Sequence, residues 1–529
     1  MSLVKPAHFV AVPQGMWGHV RPLLQVSLNL LQLHPHIHLT FLLSPSILPR
    51  IQQELKAYQS SRAILDRIQL IQCVSKDFHL PEIYDPAAMH LEAVNYAATL
   101  PAFIHLLYGD EHEYSVKGVE NKWKGIEPDV VLFDIFQHFV PGAIKGVLSA
   151  LNKPLPKMLA FVPSNAAAAY HCFVKEEDGG MFARVIRLAD EAVKEGMDPV
   201  EAYTKYAFYT DGSTVTVPGS PTKFDYEWFP LFGTIFFPPG AFASMAPSHF
   251  TAYDDAVTAF VITCNEEFEP VTVKAAEEKF GKKVYTVGPQ FTAETWNGAK
   301  PSMFGESDDD KRVLAFMDKM KEKHGLKSVA YISFGSLFFP VRRTELIRYI
   351  LHSLRANDIP FVFAYASGMA KVPDDLVAEF KDDEDSCMVK FAPQIQILNH
   401  DALSFFVTHC GSNSIAEAMV AEVPIVAMPF AADQGQSAAI WIENHRVGIQ
   451  LKQVMTFVNP EHKKLHDGTE IIGTEEAITA EMKDVFKRMK GPEGEELRER
   501  MQSLRRVAQE SWKDGKARRD MEAIGTFFQ

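Results

Sequence analysis

The sequence predicts an α/β chain built from two Rossmann-like domains facing across a cleft. Three observations carry that expectation. Short apolar runs alternate with longer stretches of helical periodicity, the pattern of βαβ units and parallel sheets. At 529 residues the chain is too long for one hydrophobic core. A polar segment containing Gly and Pro, FTAETWNGAKPSMFGESDDDK at 291–311, separates the apolar runs into two series and reads as a linker. The expected division is a first domain over 1–290, the linker, a second domain over 312–500, and a C-terminal helical segment over 501–529.

The first series of candidate strands is HFVAVP, HLTFLL, IQLIQCV, DVVLFD, KMLAFVP and FVITCN. The second is SVAYISFGS, FVFAYA, CMVKFAP, LSFFVTH and IVAMPF. Residues 212–250 are rich in Pro and aromatics with weak periodicity, so they are expected to form acceptor-side loops. The excursion MTFVNPEHKKLHDGTEIIGTEEAI has no assignable structure, and the segment from Pro492 onward is strongly helical.

The most informative stretch is 391–434, FAPQIQILNHDALSFFVTHCGSNSIAEAMVAEVPIVAMPFAADQ. Its middle is an apolar strand that runs into a small-residue turn and then a helix. Such a turn aims unsatisfied backbone N–H groups and the positive end of a helix at a phosphate. His409, Asn413 and Ser414 sit there. Ser414 and Glu417 are also spaced as a capping box, a purely structural alternative. Cys410 next to His409 does not suggest a metal, because neighbours on an extended strand point to opposite faces.

This box resembles the signature of the UDP-dependent glycosyltransferases that act on small molecules, without a gap over its whole length. The resemblance implies the two-domain GT-B arrangement, with the last helix returning to the N-terminal domain. It implies that Phe391 stacks on uracil, that the backbone of Ala392 reads the base edge and that Gln394 lies near the ribose. His409, Asn413 and Ser414, with Gly411 of the same turn, would hold the diphosphate, and Glu417 the ribose hydroxyls. Asp433 and Gln434 would bond the sugar hydroxyls. Three positions depart from the plant pattern: Phe391 and Ser412 stand where Trp is usual, and Glu422 where Gly is usual. Ser412 removes a ring that would wall the sugar. The turn at Gly335 and Ser336 resembles the one that presents N–H groups to the diphosphate. Ser164, after LAFVP, stands near where relatives place a sugar-contacting Thr. UDP-glucose is the expected donor, with no other cofactor and no metal.

A second constellation lies near the N-terminus. HFVAVP ends in a Gly-containing turn that opens an apolar-periodic helix, and α/β proteins place their chemistry at that end of a parallel strand. His19 is on this turn. Transfer to a hydroxyl needs a base with a pKa near neutrality, and a carboxylate behind an imidazole holds one tautomer and stabilises the cation formed. Asp134, ending the strand DVVLFD, is the candidate partner. The bland alternative makes His19 and Asp134 simple helix caps. Aromatic residues Trp17, Phe136, Phe139, Phe182 and Trp228 are candidates for an apolar acceptor pocket or for ordinary core.

Other features exclude partners. A net charge of −14 argues against a nucleic-acid backbone. Five scattered cysteines without CxxC spacing fit reduced thiols. No stretch reaches the ~20 apolar residues of a spanning helix, and a cytoplasmic monomer is expected. Two patterns mimic metal sites: His34, His36 and His38, expected on one surface strand face, and Asp308–Asp310, expected as solvated linker charge. The rival readings are a UDP-sugar or small-ligand binding module without turnover, and another two-domain nucleotide-sugar enzyme such as an epimerase or phosphorylase.

Overall fold

The computed structural model describes residues 5–57, 62–75, 77–79, 86–109, 116, 118–296 and 307–527. The heart of the linker, 297–306, lies outside the described residues. Contacts divide the chain into two compact units: Met1–Ala207 with Pro238–Thr292 and Glu510–Gln529, and Phe208–Phe237 with Ala293–Gln509.

The strands in chain order are β1 (Ala7–Val12), β2 (Ile37–Leu43), β3 (Ile68–Gln72), β4 (Pro128–Asp134), β5 (Lys157–Val162), β6 (Thr214–Val215), β7 (Lys223–Phe224), β8 (Val257–Ile262) and β9 (Lys283–Thr286). They continue as β10 (Val329–Ser333), β11 (Phe361–Ala364), β12 (Ser386–Val389), β13 (Leu403–Thr408), β14 (Ile425–Ala427) and β15 (Gly448–Gln450). The first unit holds a seven-stranded sheet ordered β3-β2-β1-β4-β5-β8-β9, and the second a six-stranded sheet ordered β12-β11-β10-β13-β14-β15. Every pairing in both is parallel. Strands covered on both faces by helices must be apolar throughout, which is why β1, β10 and β13 are fully buried runs.

Each order reverses once, between β1 and β4 in the first sheet and between β10 and β13 in the second. Loops leaving two adjacent strands there go to opposite faces and open a crevice at the carboxyl ends. His19 follows β1 and Asp134 ends β4; Gly335 follows β10 and His409 follows β13. Both sequence constellations therefore fall on switch points.

Three expectations are corrected. Of residues 212–250, read as acceptor-side loops of the first domain, 212–237 belong to the second unit, within the segment Phe208–Phe237, and 238–250 to the first. Tyr226 packs with Met455, Phe457, Leu465 and Ile471, so this segment and the 455–478 excursion bury each other's apolar side chains. Gly233 N donates to Thr456 O at 3.0 Å and Thr456 N to Pro230 O at 2.8 Å. Lys223, 4% exposed, pairs with Glu443. Trp228 is fully buried in that packing; a Cβ on Gly435 would lie 2.1 Å from its carbonyl oxygen, so only Gly fits.

Asp308, Asp309 and Asp310 are the first turn of the helix Asp308–His324, with Ser307 and Asp310 forming a reciprocal capping box. Their charges favour the positive end of that helix. The three histidines do not share a strand face, because β2 begins only at Ile37. His34 closes the helix Trp17–Leu33 and is 9% exposed, while His38 lies against Trp123 with ring centroids 4.6 Å apart.

The C-terminal segment is broken at Gly515 between helices Pro492–Lys513 and Lys516–Ile524. Within the first unit, Asp520 Oδ2 accepts from Thr286 N at 2.7 Å, and Met521 and Ile524 join the core that contains Ala7, Val261 and Val287. All five cysteines are free thiols.

Candidate functional site

In the first unit, Asp134 has no exposed surface, and each of its carboxylate oxygens is satisfied. Oδ1 accepts from Phe136 N at 3.0 Å and Oδ2 lies 2.8 Å from His19 Nδ1. A buried carboxylate needs such partners, since an unpaired one would cost several kcal/mol. The bond sets the tautomer: Nδ1 carries the proton and Nε2 the basic lone pair. The imidazole is partly exposed, 19%, and tilts against Phe136 at 5.4 Å.

Neither residue is a helix cap. The helix Trp17–Leu33 has Met16 at its N-cap without a side-chain bond, and the helix after β4 has Phe139 there, also without one. Among the aromatics, Phe136 contacts the His19 ring. Phe182 is 1% exposed and packed edge-on to Phe173 and Phe242, Phe139 lies against Tyr96, and Trp17 carries the Arg50 guanidinium at 4.4 Å. Trp228 belongs to the other unit.

Ser164 leaves β5 at the same sheet edge, its carbonyl accepting from Thr263 Oγ1 at 3.4 Å. The helix that follows it, Ala166–Phe173, is no anion site. Asn165 caps it, and the buried carboxylate of Glu269, its pKa pushed up to about 7 by desolvation, accepts from Ala167 N at 2.8 Å and Ala166 N at 3.3 Å.

In the second unit the helix Ser412–Val420 differs. Its N-cap is Gly411, a residue with no side chain to close the helix start. The helix starts two residues before Ser414, so Ser414 and Glu417 are helix-interior residues and the capping-box alternative falls. The turn into it is tight. Cys410 holds a left-handed φ of 66°, and the His409 ring is wedged so closely that a Cβ on Gly335 or Gly411 would come within 2.9 or 2.5 Å of it. Strain of this kind persists only where surrounding structure enforces it. Burial lowers the His409 pKa to about 4, against smaller opposing effects from Asp433 and the Ser333 carbonyl. His409 is therefore neutral at pH 7 and offers a hydrogen bond, not a charge.

Glu417 is 7% exposed; Gln394 Nε2 donates to its Oε2 at 2.7 Å and to Ser414 Oγ at 3.3 Å, and Gln394 Oε1 accepts from the Tyr331 hydroxyl at 3.2 Å. Phe391 is 57% exposed beside Ala392 and the helix Gln394–Leu398. Ser336 lies exposed on the turn after β10. Asp433 and Gln434 begin the helix Gln434–Ala438, and Gln434 Oε1 accepts from Phe430 N at 2.7 Å.

Of the sequence candidates, His19 meets Asp134, and Gln394 meets Glu417 and Ser414. The bond from Ser412 Oγ to Asp433 Oδ2, 2.7 Å, was not foreseen, nor was the part of Tyr331, whose only local signal is a polar tip on an apolar strand. Glu422, which departs from the glycine of the plant pattern, has a left-handed φ of 60°, and its carboxylate takes the Arg505 guanidinium at 2.6 Å.

Two parallel Rossmann-like sheets, each with its candidate residues at a switch point, make the GT-B fold. The sequence profile described as "UDP-glucoronosyl and UDP-glucosyl transferase" matches residues 308–457. UDP-glycosyltransferase eriJ of Hericium erinaceus is 27% identical over 496 residues, 90% of each chain. Anthocyanidin 3-O-glucosyltransferase 1 of Fragaria ananassa is 30% identical over 37% of this chain and 41% of its own length. The fold matches the crystal structure of UDP-glucose: anthocyanidin 3-O-glucosyltransferase in complex with UDP, at a TM-score of 0.67 and 18% identity over 99% of both chains. The profile match and the relative aligned over 90% of each chain support a UDP-glycosyltransferase family for this chain.

Proposed function

We propose that the enzyme is an inverting transferase that moves glucose from UDP-glucose to a hydroxyl of a small apolar or phenolic acceptor. The observation that carries the reading is the 2.8 Å bond between His19 Nδ1 and buried Asp134 at a sheet switch point. Nε2 takes the acceptor proton as the acceptor oxygen attacks the anomeric carbon. The bond from that carbon to the diphosphate oxygen breaks, UDP leaves with the electron pair, and Asp134 stabilises the imidazolium. Attack opposite the leaving group turns an α-linked donor into a β-glycoside.

UDP is assigned to the second unit. Phe391 stacks on uracil, Ala392 reads the base edge, and Gln394 and Glu417 take the ribose. Ser336, His409, Gly411, Asn413 and Ser414 surround the diphosphate at the N-terminal end of the helix Ser412–Val420. Helix dipole and hydrogen bonds meet its charge, so the reading needs no metal. Asp433, Gln434, Ser412 and Ser164 are assigned to the sugar. The linker and the division into acceptor and donor domains belong to the same reading, as does a cytoplasmic monomer.

The names of relatives support glucose and a phenolic acceptor: anthocyanidin and flavonol 3-O-glucosyltransferases recur among them. The test is UDP release from UDP-glucose, UDP-galactose, UDP-xylose and UDP-glucuronate against a panel of phenols. UDP-glucose is expected to give the highest kcat/KM. A tenfold higher value for UDP-glucuronate would overturn the donor assignment.

A further inference from the structure

The corner that presents Asp433 is fixed on several sides. Gln434 Oε1 bridges Phe430 N at 2.7 Å and Ala431 N at 3.4 Å, and Phe430 O accepts from Leu231 N at 3.2 Å. Ala432 is pinned at a left-handed φ of 56°. These contacts set the backbone. Ser412, the first residue of the helix Ser412–Val420, holds the carboxylate itself, donating its hydroxyl to Asp433 Oδ2 at 2.7 Å. An indole at 412, as in the plant pattern, has no hydroxyl to give.

We propose that Ser412 is a positioning residue for the donor sugar, its hydroxyl orienting the Asp433 carboxylate toward the hexose hydroxyls. The inference rests on the assignment of Asp433 to the sugar. A carboxylate oriented before the sugar arrives loses less freedom on binding, and a charge-assisted bond is strong enough to hold it. Its effect should be confined to the sugar half of the donor, because the uracil, ribose and diphosphate contacts lie on other residues.

Calorimetric titration of UDP and of UDP-glucose into the full chain tests this with Ser412→Ala, Ser412→Thr, Asp433→Asn and the Ser412→Ala/Asp433→Asn double variant. Ser412→Ala should weaken UDP-glucose roughly tenfold, the usual scale of a charge-assisted bond, and leave UDP within about twofold. Ser412→Thr, which keeps the hydroxyl, should restore most of the loss. The double variant should bind UDP-glucose no more weakly than Asp433→Asn alone, since the two side chains act as one. Equal losses for UDP and UDP-glucose in Ser412→Ala would overturn the inference by placing Ser412 at the diphosphate. So would unchanged UDP-glucose affinity in Ser412→Ala when Asp433→Asn weakens it. Unchanged affinity in Asp433→Asn would overturn the assignment of Asp433 itself, and this inference with it.

Discussion

Replacing His19 with Ala should lower kcat at least about 10²-fold, the usual worth of a general base, and leave UDP affinity almost unchanged. The two effects separate because His19 is on the first unit, whereas the residues assigned to UDP are all on the second. Asp134→Ala should act in the same direction, because the 2.8 Å bond sets which nitrogen is basic. The double variant should be little worse than His19→Ala, since the pair works as a unit. The acceptor must be an unactivated alcohol. A strongly acidic phenol or a thiol ionises readily and would hide the loss. Near-wild-type transfer to such an alcohol by His19→Ala would remove His19 from its assigned role.

Glu417→Gln should weaken UDP by about 1–3 kcal/mol, the loss of charge-assisted bonds to the ribose. The melting temperature without ligand should change little, for a structural reason. Glu417 lies inside a helix that begins at Ser412, so it closes no cap, and its carboxylate accepts from the Gln394 amide at 2.7 Å. Isothermal titration and a thermal melt on the same preparation check both statements. A large loss of melting temperature with unchanged UDP affinity would make Glu417 a structural residue.

The interior of each sheet is legible from sequence because parallel strands covered on both faces must be apolar along their whole length. The short strands escape that rule. β15 is three residues with one buried, and β6 and β7 are two residues each, so none carries a period long enough to read. The placement of 208–237 is illegible for a different reason. It is decided by Tyr226, Lys223 and Trp228 meeting residues more than 200 positions away, and no local pattern encodes a partner at that distance.

Spacing alone was ambiguous at Ser414 and Glu417, where the capping-box alternative lies inside a helix already begun. It misled at His34, His36 and His38, where alternation implies a shared face only if all three are in one strand. At His19 and Asp134 the sequence held enough: one polar residue at the start of the helix after an apolar strand and one closing another apolar strand, which the sheet order then makes neighbours. The Ser412 bond to Asp433 could not be read from spacing, because it joins the starts of two different helices across an intervening strand.

The most direct measurement of the central claim is the anomeric configuration, by proton NMR, of the glycoside formed from UDP-α-glucose and a phenolic acceptor, with UDP quantified in parallel. The account predicts a β-glucoside and one UDP released per glycoside formed. An α-glucoside, or no acceptor-dependent release of UDP, would contradict it.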